Sequence, residues 1–172
     1  MNRATFWTRA NLVAALTTLG ILMGSATTRA ADASDIAEGR SLFMEKGNCQ
    51  GCHGWAGDGR KTDNQMPDGA NLRESALDRE IVIMTIKCGR PGRSMPAYDR
   101  FAYSGDGRCY GMKEGDLKNN PLPDPPATLQ LREIERIADF LFARVIKQGA
   151  MTRAKCVEFW GSEVAACGEF SK

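Results

Sequence analysis

The run Asn48-Cys49-Gln50-Gly51-Cys52-His53-Gly54 constrains this chain more than any other stretch. Two thiols separated by two residues, with an imidazole directly after them, form the attachment pattern of a c-type haem. The thiols add across the two haem vinyl groups, and the adjacent histidine supplies a nitrogen to the iron. A zinc knuckle normally needs about four ligands. His53 is the sole histidine, and no second Cys/His pair lies nearby. A thioredoxin-like redox pair has no need of the following histidine. The expectation is one haem c, attached through Cys49 and Cys52, with His53 on the iron.

The chain has 172 residues, about the length of one domain. Its first 30 residues read as a secretory leader: Arg3 and Arg9, an apolar run over residues 12–23, then small residues ending in Thr28-Arg29-Ala30. Thr17, Thr18 and Gly20 interrupt the run, and a membrane span needs ~20 apolar residues. Cleavage near Ala30 is therefore expected in place of a retained anchor, and no later segment is expected to span a bilayer. The leader holds three arginines and no acid, so its removal leaves 20 basic and 21 acidic side chains, a net charge of −1. The whole chain's +2 belongs to the leader and gives no reason to expect nucleic acid.

Beyond the attachment pair stand Cys88, Cys109, Cys156 and Cys167, an even number in an exported chain. Such a set favours disulfides. Cys88–Cys109 and Cys156–Cys167 is the expected pairing, because both bridges close short local loops. Haem attachment and disulfides together suit the periplasm.

Helical periodicity predicts three principal helices. Residues 34–47 carry Ile36, Gly39, Leu42 and Phe43 on one face, with Ser34 or Asp35 as cap and Gly47 as stop. Residues 54–77 are rich in turn formers and read as loop. Residues 78–88 return to a helix capped by Asp78, with Ile81, Met84 and Thr85 on one side. Residues 89–127 read as a long irregular segment without a core of its own, ending in the stiff Asn120-Pro121-Leu122-Pro123-Asp124-Pro125-Pro126. Loops of such length are usually functional, and a large apolar cofactor gives this one something to wrap. Residues 129–147 form the strongest amphipathic pattern, through Ile134, Ile137, Ala138, Leu141, Phe142 and Val145, with Gly149 as stop. A short tail with Phe159, Trp160 and the second cysteine pair follows.

This order resembles the class I c-type cytochromes over residues 34–147. Gly39 and Phe43 match that family's first helix. Phe140-Leu141 matches the aromatic-aliphatic pair of its last, and the resemblance implies that the two helices cross closely there. Gly89-Arg90-Pro91-Gly92-Arg93-Ser94-Met95-Pro96-Ala97-Tyr98 resembles the segment that delivers a methionine ligand. Gly69-Ala70-Asn71-Leu72 resembles a Gly-Pro-Asn-Leu segment whose backbone carbonyl contacts the proximal histidine. Ala70 stands in the proline's place, and Pro67 is the alternative source of that carbonyl. The implied architecture is all-α: a cytochrome c fold with three or more helices around one covalent haem, long loops and a disulfide-bearing tail. It would occupy residues 31–149, with 150–172 as an extension.

One histidine excludes bis-histidine ligation within the chain. Among the methionines after the leader, Met44 and Met84 lie on helices and read as core. Met112 and Met151 have no supporting context. Met66 lies close after His53 and suits the proximal side of the ring. Met95 lies inside the matching segment, with Pro96 stiffening its backbone, and is the expected sixth ligand. A filled sixth position favours a carrier of single electrons between a dehydrogenase and an oxidase or another cytochrome. The long loop around Cys109 and the tail after Gly149 are similar to those of cytochromes dedicated to one periplasmic dehydrogenase, quinoprotein alcohol dehydrogenases included. Two alternatives remain at this stage. One is a haem enzyme with a cysteine (Cys88 or Cys109) or an open sixth site, acting on sulfur compounds or peroxide. The other is a fixed subunit through which electrons pass into a larger redox complex. Arg60, Lys61, Arg90, Arg93, Arg100 and Arg108 lie in loops near the expected haem edge, as a docking rim, propionate partners or solvated surface. Trp55 and Tyr98 either line the haem pocket or fill core.

Overall fold

The computed structural model describes residues 31–105 and 109–170. The expected leader, residues 1–30, and Arg108 lie outside the described residues. The helices are α1 (Ala33–Met44), α2 (Cys49–His53), α3 (Arg79–Cys88), α4 (Leu131–Arg144) and α5 (Arg153–Trp160). Short 3-10 helices occupy Leu72–Glu74, Glu114–Asn119 and Ala165–Phe170. Among the described residues the strand-like pairing is limited to an isolated bridge between Cys109 and Met112. The all-α expectation is thus the observed architecture.

Capping sets where α1 begins. Asp32, not Ser34 or Asp35, is the cap: its carboxylate accepts from the Asp35 amide at 2.9 Å and from the Ser34 hydroxyl at 2.7 Å. The helix ends at Met44, three residues before the expected Gly47. The Gly47 amide instead reaches back to the Leu42 carbonyl (2.8 Å), turning the chain toward Cys49.

α1 crosses α4 at Gly39. A Cβ there would lie 1.9 Å from the Arg136 carbonyl oxygen and 2.9 Å from Phe140 Cβ, so only glycine lets the backbones meet. Phe43 and Phe140 pack beside the crossing with ring centroids 5.5 Å apart, and both are fully buried. Ile134, Ile137, Ala138 and Leu141 complete the inward face of α4. Arg136–Asp35 (2.9 Å) and Arg132–Glu38 (3.0 Å) pair across the same two helices, and Lys46 in the turn after α1 pairs with Glu133 (2.6 Å). Arg132–Glu38 is largely solvated and contributes orientation more than stability, whereas Arg136–Asp35 is mostly covered.

α4 starts at a capping box, in which Glu133 accepts from the Gln130 amide at 2.8 Å. It stops before the expected Gly149. The amides of Val145 and Ile146 both fall on the Leu141 carbonyl (2.9 and 2.7 Å), tightening the last turn and burying both side chains.

α3 begins where expected, at the Asp78 cap, but buries a different face. Val82, Ile86 and Cys88 point inward, whereas Ile81 is exposed. The run Ile81-Val82-Ile83-Met84-Thr85-Ile86 is apolar almost all round, so its periodicity does not choose a side. Packing against α4 makes the choice.

The long segment after α3 does have a small core of its own, contrary to the expectation. Cys88, Ala102, Tyr103 and Cys109 are buried together, with Met84, Ala97, Met112, Leu117 and Leu122 around them. The expected Cys88–Cys109 disulfide sits at its centre. A closed loop of that size contributes about 3 kcal/mol in the chain-entropy account.

The tail folds more fully than its sequence suggests. Thr152 caps α5, and Cys156–Cys167 joins α5 to the last 3-10 turn. Phe159, Trp160 and Phe170 surround Trp55 at centroid distances of 5.2, 5.4 and 6.0 Å. Phe159 also meets Phe140 at 6.1 Å. No helix among the described residues is long and apolar enough to cross a membrane.

Candidate functional site

The attachment segment is one short helix, α2, held at both ends. Asn48 enters it in the left-handed conformation (φ 44°), and the Gln50 side-chain amide donates to the Met44 carbonyl at 2.8 Å. The Tyr98 hydroxyl donates to the Gly47 carbonyl at 2.6 Å. All six cysteines after the leader are described, and Cys49 and Cys52 are the two left free. Burial pushes the Cys49 thiol up to about 12, against the lowering effect of its bond with Tyr98. Burial also raises the Cys52 thiol. A pair poised for thiol–disulfide exchange carries a lowered thiol pKa; here both thiols are held neutral. Among the described residues, no group of three or more His, Cys, Asp and Glu could hold a metal ion, so the zinc alternative lacks a ligand set.

His53 closes the helix with its Nδ1 2.8 Å from the Ala70 carbonyl oxygen. A carbonyl only accepts, so Nδ1 carries the proton and Nε2 keeps a free lone pair. The contact is made by Ala70 itself, not Pro67. It uses a backbone oxygen, so losing the proline ring at that position does not remove it. Gly69 makes the approach possible. A Cβ there would lie 2.7 Å from the Cys52 carbonyl and 2.8 Å from His53 Nδ1. The Gly69 amide donates to the Cys52 carbonyl at 3.0 Å, and Asn71 caps the next turn by accepting from the Arg73 amide at 3.0 Å. Burial lowers the His53 pKa; the Ala70 contact opposes this and the Arg90 charge adds to it. The neutral imidazole, the form that donates to iron, is therefore favoured.

Met95 lies on a closed loop. The Arg90 amide donates to the Met95 carbonyl at 3.0 Å, and Tyr98 and Asp99 return to the Ile86 and Lys87 carbonyls at 3.2 and 3.1 Å. The loop's base is pinned by Tyr103 on the Cys88 carbonyl (2.6 Å) and Tyr110 on the Gly89 carbonyl (2.9 Å). Met95 is half-buried against the same apolar cluster as Cys49 and Leu72. Met66 instead sits beside Gly51 of α2, and its carbonyl accepts from Lys61 at 2.9 Å. Met44 packs on the main core from α1, Met84 and Met112 join the second cluster, and Met151 borders α5.

The loop cations divide. Arg60 pairs with Asp58 (2.7 Å) and Lys61 with Asp68 (2.9 Å). Arg90 and Arg93 are exposed and have no ion pair among the described residues. Arg100 is exposed and lies over the Phe101 ring at 4.3 Å. Trp55 is half-buried against the aromatic rings of the tail, and Tyr98 links the Met95 loop to the Cys49 segment. Arg73 went unforeseen. It is 3 % exposed, with Nε on the Gly149 carbonyl (2.5 Å) and Nη1 on the Ala56 carbonyl (3.2 Å). Burial lowers its pKa. Its sequence context resembles any surface arginine and carries no signal of burial.

Residues 34–107, from α1 to the loop beyond Met95, match the family model described as cytochrome C oxidase, cbb3-type, subunit III. No curated protein and no solved structure matches the chain. The family match supports a c-type cytochrome domain and implies covalently bound haem c. The residues present fit that group: two free thiols at the attachment spacing, a neutral imidazole with a fixed Nδ1 proton, and an apolar lining.

Proposed function

We propose that the chain is an exported monohaem carrier of single electrons, with haem joined to Cys49 and Cys52 and iron held by His53 and Met95. The observation that carries this reading is the Tyr98–Gly47 hydrogen bond (2.6 Å). It joins the residue three beyond Met95 to the residue two before Cys49, bringing both candidate ligand segments onto one core. When bound, haem supplies one-electron chemistry by cycling between ferric and ferrous iron. The Ala70 carbonyl orients the His53 ring. A Met95 thioether, as a soft ligand, favours the ferrous state and leaves no iron position for a substrate. Cys88 and Cys109 are buried in their mutual disulfide, so neither offers a thiolate in place of Met95. Cleavage near Ala30, a carrier domain over 31–149 and an extension over 150–172, working in the periplasm, complete the proposal.

Replacing Met95 tests the ligand assignment. Met95→Ala is expected to abolish the long-wavelength charge-transfer band of ferric His/Met haem, lower the reduction potential and admit carbon monoxide. Met66→Ala should leave all three unchanged; the opposite pattern would sink the assignment.

The proposed donor is a periplasmic dehydrogenase, such as a quinoprotein alcohol dehydrogenase, and the proposed acceptor is an oxidase or another cytochrome. Support comes from Arg90, Arg93 and Arg100, exposed on or beside the Met95 loop, where they can steer an acidic partner. Charge reversal at Arg93 and Arg100 is expected to slow reduction by the native donor at low salt, with spectrum and potential nearly unchanged. Added salt should slow the wild type more than the variant. Equal rates at low ionic strength would reduce these arginines to solvated surface. The description of the matching family model favours a second reading, a fixed subunit of a larger redox complex. Native gel filtration distinguishes the two, because a chain eluting alone near its own mass rules the fixed subunit out.

A further inference from the structure

Between α1, α4 and α5 lies a cleft of about 270 Å³. Its charged lining is Arg40, Arg73, Arg144, Lys155 and Glu158. Arg144 and Glu158 pair with each other. The other three cations have no carboxylate partner among the described residues. Arg73 donates to two backbone carbonyls, as described above. Lys155 donates to the carbonyls of Gln148 and Ala150. The Arg40 guanidinium lies over the rings of Phe159 (4.5 Å) and Trp160 (5.0 Å), and its Nε is buried with no hydrogen-bond partner. Asp58 acts on Arg73 through space but is itself bonded to Arg60.

Arg73 is buried, and Arg40 and Lys155 are half-buried; a charge drawn out of water is normally paired, because its desolvation is otherwise uncompensated. Three cations around one cleft also repel each other. Carbonyl oxygens satisfy N–H groups without cancelling charge, so the arrangement calls for a negative group. We propose that this cleft binds a small tetrahedral oxyanion, phosphate or sulfate, held by Arg40, Arg73 and Lys155. The Arg40 guanidinium, whose Nε has no partner, can present a planar pair of N–H donors to an oxyanion edge, while Arg73, with Nε and Nη1 on carbonyls, adds its charge and remaining N–H groups. Phe140 and Phe159 form apolar walls, which strengthen the attraction by lowering the local dielectric. The three cations come from α1, the turn after Asn71 and α5, so one anion would fasten the tail to the body of the fold. None of Cys49, Cys52, His53 and Met95 lines the cleft, so the site stands independently of the haem reading.

Isothermal titration of the haem-loaded protein with sodium phosphate and with sodium sulfate tests this, against sodium chloride at equal ionic strength. One saturable site for both oxyanions, with a raised Tm, is expected. Arg40→Gln and Lys155→Gln should each weaken binding about tenfold, the scale of one charge-assisted hydrogen bond. Neither should alter the haem spectrum. In the wild type, nitrogen NMR should show the Arg40 Nε signal moving in step with occupancy, a readout that requires no variant. Absence of saturation beyond that of chloride overturns the proposal. So does an unmoved Arg40 signal, or unchanged affinity in the folded Arg40→Gln, Lys155→Gln double variant.

Discussion

Replacing both Cys49 and Cys52 with alanine is expected to reduce haem retained on the denatured polypeptide to background, with a sharp fall in holoprotein yield. The attachment chemistry needs these two thiols, because the remaining four cysteines are closed into buried disulfides and cannot substitute. Each single variant keeps one thiol and should retain one thioether, with lower yield. Haem staining of denaturing gels and intact mass give the readout. Wild-type retention in the double variant would overturn covalent attachment at this segment. The structure also predicts that the double variant perturbs more than attachment. Cys49 packs on the main core, and the Tyr98 hydroxyl anchors Gly47, two residues before it. The Met95 loop should therefore loosen together with α2.

Gly39→Val is expected to destabilise the fold by about 3 kcal/mol or more, at or beyond the upper end of the usual overpacking cost. The first added carbon already falls 1.9 Å from the Arg136 carbonyl oxygen, and the contacted group is helix backbone that cannot rotate away. Relief requires α1 and α4 to separate, which unpacks Phe43 from Phe140 and strains the ion pairs of Arg136 with Asp35 and Glu38. Domains of this kind hold about 5–15 kcal/mol in total, so a large part of the margin would go. The denaturant midpoint of the haem-loaded protein measures it. Gly39→Ala should show the same sign, because Cβ alone makes the clash. A midpoint unchanged in Gly39→Ala would mean that the helices do not cross at this residue.

Local chemistry made much of this chain readable in advance. The spacing of Cys49, Cys52 and His53 is the one that covalent haem attachment would require, and the two disulfides agree with the expectation of short loops between the remaining cysteines. Asp78 caps α3 as expected because capping is a matter between near neighbours. α4 declared itself through its amphipathic repeat. The backbone contact to His53 also persists without the expected proline, since any residue at position 70 has a carbonyl.

Tertiary structure decided the rest, wherever distant segments had to be weighed against each other. Ile81-Val82-Ile83 is apolar on all sides, and only the position of α4 selects Val82 for the core. The 89–127 segment acquires its own core because Cys109 is brought back to Cys88 and carries Tyr103 with it. α5 is too short for periodicity to reveal, and it forms over Trp55 and Phe140, residues far earlier in the chain. Arg73 reads as a surface charge until Gly149 and Ala56 close around it. The sequence by itself determined the spacing of Cys49, Cys52 and His53, the Asp78 cap of α3 and the small residue at Gly39 where α1 and α4 meet, because each is set by one residue or a few neighbours, whereas the cap of α1 moved to Asp32. Which faces turn inward, and which charges are buried, depended on contacts between residues far apart in sequence, which no local pattern encodes.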